Sequence, residues 1–135
     1  MTTAQALLDR FYDALKTLSA EPLADCVSED FVLEWQGSAS IPWAGTWRGV
    51  KGLLAFVQTL NQHLDILHVQ RLKQLADDET TMVLLHGHWR LKATGRDVQA
   101  LACNIFAIEG GRIRSYTVLN NTAAFAEALA ERPGA

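Results

Sequence analysis

The apolar residues of this chain recur first at helical spacing and then, through most of the second half, at every other position. Leu7, Leu8, Phe11, Ala14, Leu15 and Leu18 fall on one stripe of a first helix. Thr2 and Gln5 stand at capping-box spacing, with Thr2 as the N-cap. Tyr12 lies at the edge of the stripe, one turn beyond Leu8. A short second helix is predicted from Glu21 and Pro22, because proline suits a first helical turn where its missing N–H has no partner to lose. Ser28, Glu29 and Asp30 read as a turn into a strand over 31–35. Alternation puts Phe31, Leu33 and Trp35 on one face of that strand and Glu34 on the other. A loop over 36–47, rich in small residues, carries Trp43 and Trp47. Gly49 precedes a third helix with Val50, Leu53, Leu54, Val57 and Leu60 at helical spacing.

From there the period changes to two. A strand with a weak pattern is predicted over 65–75, then a turn at 77–79 and a long strand over 80–93. In that strand Leu85, Gly87, Trp89 and Leu91 face one side, and His86, His88, Arg90 and Lys92 the other. Such alternation marks a sheet with one apolar and one wetter face. Strands over 98–108 and 112–120 follow, and a helix over 122–130 ends before Pro133 and Gly134. Segregated helices with an antiparallel meander predict an α+β fold. The expected packing curls the sheet around the first and third helices and leaves a cone-shaped cavity, since a strongly curved sheet cannot press flat against them.

Asn104 changes this picture from a fold to a pocket. It sits in the apolar run 101–108, and a buried amide without hydrogen-bond partners costs about 1–3 kcal/mol. Tyr12 poses the same problem on the inner face of the first helix. A polar spot inside an apolar cavity answers both. If Asn104 faces inward, so do Ala100, Ala102 and Phe106, with Leu85, Gly87, Trp89 and Leu91 on the preceding strand and Tyr116, Val118 and Asn120 on the last. Asn120 has a second reading as the cap of the final helix. Trp35 and Trp89 are expected on the cavity wall, and Trp43 and Trp47 as a lid over its mouth. The alternative is a filled core in which Tyr12 and Asn104 satisfy each other or a buried water.

Composition narrows the classes. The chain has 135 residues, the length of one domain, with 49% hydrophobic and 20% charged residues, an ordinary globular balance. Its net charge of −3 contains no basic block, which argues against nucleic acid. Cys26 and Cys103 share no metal-type spacing and read as small buried hydrophobes in a reducing compartment. The start lacks the basic and apolar regions of a signal peptide, and no run reaches the length of a membrane span, so a cytoplasmic protein is expected. His86 and His88 lack a third ligand at suitable spacing. No metal or cofactor is expected, and the outer sheet face is their place, wet or against a partner subunit. His63 and His68 read as solvated. No phosphate loop or nucleophile elbow is present.

Four segments carry a resemblance. They are Phe11-Tyr12-Asp13-Ala14-Leu15, the run from Ala44 to Gly49 followed by Leu53, Phe56 and Leu60, the turn Ala93-Thr94-Gly95-Arg96, and the hairpin from Ile105 to Ile113 leading into Leu119-Asn120-Asn121-Thr122. In this order the chain resembles the nuclear transport factor 2-like superfamily, and most its SnoaL-like, ketosteroid isomerase-related branch. The resemblance implies a cystatin-like, cone-shaped α+β barrel with a mixed or antiparallel sheet, commonly a homodimer, with a site inside the cone. In ketosteroid isomerase an Asp base moves a proton beside an oxyanion hole made by a Tyr and a protonated Asp. Matched by position, Tyr12 takes the place of that Tyr and Asn104 that of the protonated carboxyl. Trp35 stands where the base belongs, and indole accepts no proton usefully. Asn121 replaces an Asp found before the last helix in many relatives.

Three functions stay open on these residues. The first is an isomerase- or cyclase-type enzyme on an apolar or aromatic carbonyl compound, in which Tyr12 and Asn104 stabilise an oxyanion and Glu34, or a water held by Tyr116 and Asn120, handles the proton. The second is a binding protein with the same pocket and no chemistry. The third is a module that forms a homodimer through the outer sheet face. The direction of the Glu34 side chain discriminates the first two.

Overall fold

The computed structural model describes residues 4–130. The elements run α1 (Ala4–Lys16), α2 (Ala20–Asp25), β1 (Val27–Trp35), β2 (Gly45–Arg48), α3 (Gly49–His63), β3 (Leu64–Ala76), β4 (Thr80–Leu91), β5 (Asp97–Glu109), β6 (Arg112–Leu119) and α4 (Thr122–Leu129). The strands form one sheet in the order β2-β1-β6-β5-β4-β3. β1 runs parallel to β6 and every other neighbouring pair is antiparallel, so the sheet is mixed. It curves but does not close, since β2 and β3 end it as unpaired edges. The architecture is α+β, an open cone rather than a complete barrel.

The amphipathic stripe of α1 explains its place. Leu7, Leu8, Phe11 and Ala14 are buried, with Tyr12 beside them. Leu18 lies past the helix end in a left-handed conformation (φ 53°), where its N–H donates to the Leu15 carbonyl. α3 buries Leu53, Phe56, Val57 and Leu60 against the same core, while Leu54 is only half-buried. Thr2, Pro133 and Gly134 lie outside the described residues.

Two local expectations are corrected. Ser28, Glu29 and Asp30 belong to β1, not to a turn. Val27 is buried and pairs with Ile113, and a bulge between Val27 and Val32 absorbs the polar residues. The loop expected over 36–47 ends in strand β2, whose Gly45 to Arg48 pair with Trp35 to Val32 and satisfy a β1 edge otherwise left open.

β3 is bulged twice, between Ile66 and His68 and between Arg71 and Lys73. Each extra residue resets the alternation. Val69 and Arg71 therefore face inward opposite Gly87 and Leu85, while Leu67 and Leu72 are left exposed. On the other sheet face His88 Nε2 meets Asp97 Oδ2 at 2.8 Å, and Arg90 Nε donates to Asp97 Oδ1 at 2.8 Å. His68 is exposed, but His63 is half-buried with its ring 6.1 Å from that of Trp43, which corrects its expected solvation. Both cysteines are free thiols. Cys26 is buried, whereas Cys103 stands half-buried on the outer face beside Leu84 and Leu119, not in the core. Among the described residues no helix is long and apolar enough to cross a membrane.

Candidate functional site

Between the helices and the concave sheet face lies a cavity of about 180 Å³. α1 contributes Tyr12, Asp13, Leu15 and Lys16, and α3 contributes Phe56 and Leu60. From the sheet come Trp35 of β1, Leu64, Ile66, Val69 and Arg71 of β3, Leu85 and Trp89 of β4, Ala102 and Asn104 of β5, and Tyr116 and Val118 of β6. Trp43 and, from α4, Phe125 complete it. Strand period two delivers the sheet residues: Asn104 stands opposite Val83 and Val118, and Ala102 opposite Leu85.

The polar centre is Asn104, 3% exposed. Tyr12 donates its hydroxyl to Asn104 Oδ1 at 2.7 Å, and Tyr116 donates to the same oxygen at 3.4 Å. The amide oxygen therefore serves two phenols. No described residue accepts a hydrogen bond from Asn104 Nδ2, which leaves an unpartnered donor on the cavity wall. This differs from an arrangement in which phenol and amide both aim at one guest atom, because the Tyr12 hydroxyl is spent on the amide. Burial pushes the Tyr12 phenol far above its ordinary pKa, with Tyr116 adding and Arg71 opposing. Burial raises Tyr116 as well. Burial thus favours both phenols as neutral donors.

Aromatic rings pack beneath this centre. Phe106 stacks on Tyr116 at 4.8 Å with planes 5° apart, and Phe11 presents its edge to both. Phe106 is thus inward but covered, and it does not reach the cavity wall. At the mouth, the Arg71 guanidinium lies 5.0 Å from the centroid of the Tyr12 ring and pairs with Asp9 at 2.8 Å. Arg71 holds the Asp9 carboxyl below its usual pKa, helped by Gln5.

Glu34 points away from the cavity, on the face that alternation predicts, which leaves it out of place as the base, and several other expected positions are corrected. Glu34 pairs with Thr46 and Thr117, and its Oε2 accepts from Gln36 Nε2 at 2.9 Å. A one-residue step along a strand reverses the face, so Glu34 cannot share the side of Trp35. Trp47 is no lid: its indole N–H donates to the Trp43 carbonyl at 3.1 Å and its ring packs on Phe56. Trp43 is fully buried against Trp35 and Phe125 rather than covering the mouth, and its Nε1 has no hydrogen-bond partner. Leu91 is buried opposite Leu64 and off the wall. Asn120 follows the end of β6 and accepts from the Asn121 N–H, while Asn121 caps α4 by accepting from the Ala124 N–H. Gly87 and Ala100 face inward without reaching the cavity.

The sequence reading missed Asp13, Lys16 and Arg71 at the mouth. The motif around Tyr12 held the signal for the first two, since residues one and four places on share a helix end. The signal for Arg71 was hidden by the β3 bulges. Asp13 is the one carboxylate on the wall among the described residues, and no histidine reaches it. Among those residues no group of three or more His, Cys, Asp or Glu is placed to hold a metal ion.

Sequence comparison matches residues 8–116 to the SnoaL-like domain family. The chain belongs to that family. Solved structures share the fold of this SnoaL-like chain. An NTF2-like protein from Burkholderia xenovorans LB400 is 23% identical over 91% of this chain and 92% of its own, with a TM-score of 0.82. A candidate isomerase from Rhodopseudomonas palustris is 18% identical over 98% and 100%, with a TM-score of 0.84. A candidate polyketide cyclase from Pseudomonas putida KT2440 is 19% identical over 96% and 100%, with a TM-score of 0.77. At these identities the likeness of the SnoaL-like chain to each is one of fold. No curated protein matches its sequence significantly.

Proposed function

We propose that this SnoaL-like domain holds an apolar, aromatic carbonyl compound in its cone, with Asn104 Nδ2 donating to the carbonyl oxygen. The observation that carries this reading is the amide itself. Its oxygen is occupied by Tyr12 and Tyr116, so its N–H groups remain without a partner on a largely apolar wall. A few placed polar groups in an apolar cleft are the usual anatomy of a small-molecule site. Two phenols donating into the amide oxygen also polarise it and strengthen its N–H groups as donors. Titration with acetophenone and with ethylbenzene, its counterpart lacking the oxygen, tests the reading. The ketone is expected to bind about tenfold more tightly, the worth of about 1.4 kcal/mol. Equal affinities would remove Asn104 from the ligand.

Binding without chemistry is favoured, because Glu34 points outward and the base position holds Trp35. One observation supports a proton-transfer reading beside it: Asp13 lines the wall next to Tyr12, and neighbours of this fold include a candidate isomerase and a candidate polyketide cyclase. The same titration in D2O decides. Loss of the ketone methyl signal by NMR, abolished in Asp13→Asn, speaks for catalysis. An unchanged signal speaks for binding.

The partner we propose is a second copy of the chain, in the cytoplasm, where free Cys26 and Cys103 are at home. Leu75, Met82, Leu84, Leu101 and Leu119 stand on the outward positions of four adjacent strands and are 40–60% exposed. A contiguous apolar patch of this kind marks an interaction surface. Leu84→Glu is expected to turn a dimer into a monomer by solution mass, and a monomeric parent chain defeats the proposal.

A further inference from the structure

The Asn104 reading fixes where a carbonyl would sit but not how large its bearer is. The inner end of the cavity answers that. Four aromatic side chains close it. Phe125 of α4 meets Trp35 at 5.5 Å, Trp43 at 5.7 Å and Trp89 at 5.3 Å between ring centroids. The position of Trp89 depends on a glycine. Gly87 lies two residues earlier on β4, so both face inward, and the indole of Trp89 folds back onto the bare backbone at Gly87. A Cβ at Gly87 would overlap three ring carbons, Cη2, Cζ2 and Cζ3 of Trp89. Only glycine lets the ring lie flat against the sheet.

The space left is small. An apolar cavity of about 150 Å³ takes benzene. Drug-sized ligands occupy pockets of roughly 300 Å³ or more. The cavity here measures about 180 Å³.

We infer that this cone is a site for compact aryl carbonyl compounds, of one ring or two fused rings, and that Trp89 seated on Gly87 sets the limit. The inference rests on the ligand reading above and adds the substrate class and its determinant. Removing the Trp89 ring extends the cavity along β4 toward Ala100, which pairs with Gly87. Adding a methyl at Gly87 forces the ring off the sheet and toward the cavity that it lines.

Titration calorimetry with acetophenone, 1-tetralone and 9-fluorenone tests this on the whole chain. The parent protein is expected to bind the one- and two-ring ketones and to bind 9-fluorenone at least about tenfold more weakly, the discrimination a rigid apolar wall supplies. Trp89→Ala should recover about tenfold for 9-fluorenone. Gly87→Ala should lose about tenfold for acetophenone, and the double variant Gly87→Ala/Trp89→Ala should behave as Trp89→Ala alone. Equal binding of all three ketones by the parent, an unchanged ranking in Trp89→Ala, or an unaffected Gly87→Ala each overturn the inference. Should Gly87→Ala fail to fold, the Trp89→Ala ranking decides by itself. Benzene separates this failure from failure of the carbonyl reading. Benzene bound as well as acetophenone, with 9-fluorenone excluded, removes the Asn104 contact and leaves the size limit standing. Neither benzene nor any ketone binding overturns both.

Discussion

Asn104→Leu is expected to lower folding stability by about 2–4 kcal/mol and to erase the preference for a ketone over a hydrocarbon. The stability loss comes from the phenols rather than from the amide. Leucine fits an apolar wall, but it leaves the Tyr12 and Tyr116 hydroxyls buried without their acceptor, and each stranded group costs about 1–3 kcal/mol. Tyr12 should dominate, because its bond is 2.7 Å and that of Tyr116 is 3.4 Å. The asymmetry of hydrogen-bond energetics gives a sharper form of the same expectation. Adding Tyr12→Phe and Tyr116→Phe removes the stranded hydroxyls, so the triple variant should be more stable than Asn104→Leu alone. Urea denaturation with unchanged m-values measures both. A triple variant weaker than the single one would show that the three groups are not one network. The ligand arm separates amide from phenol. Tyr12→Phe keeps the Nδ2 donor and should change ketone affinity by about twofold at most, where Asn104→Leu loses about tenfold. Equal losses would mean that the phenol, too, touches the ligand.

Phe125→Ala should cost about 3–5 kcal/mol, the range for truncating a buried phenylalanine. α4 has eight residues and buries only Phe125 and Ala128, so a helix too short to be stable alone is held by one ring. That ring is also the point where Trp35, Trp43 and Trp89 meet. Its loss should therefore detach α4 and open the cavity in the same step. Stability is read by denaturation, and docking of α4 by hydrogen exchange at Ala128 and Leu129. A cost below about 1 kcal/mol, with exchange unchanged, would mean that the helix is fixed by contacts other than this ring.

The sequence alone determined the α+β class, the order of the elements other than β2, and the inward face of β4 and β5. It could do so because those features rest on local periodicity. The alternation from Val83 to Leu91 and from Val98 to Phe106 survives unbroken in the sheet register. It also put Asn104 and Tyr12 in one polar spot, because an amide in an apolar strand and a phenol on an apolar helix face each demand a partner. Tertiary structure decided the rest. β2 could not be read, since four residues with Gly45 and Arg48 at their ends carry no alternation, and only the open edge of β1 makes them a strand. The two bulges in β3 scrambled its pattern and hid Arg71, because an inserted residue reverses every later side chain. Trp43 and Trp47 exchanged their expected places for a buried wall and a brace on α3, as loop residues have no period to fix their direction. Which atom of the amide faces the cavity was likewise beyond the sequence. It depends on two hydroxyls, from residues 92 and 12 positions away along the chain, arriving at one oxygen, and only the packed cone brings them there.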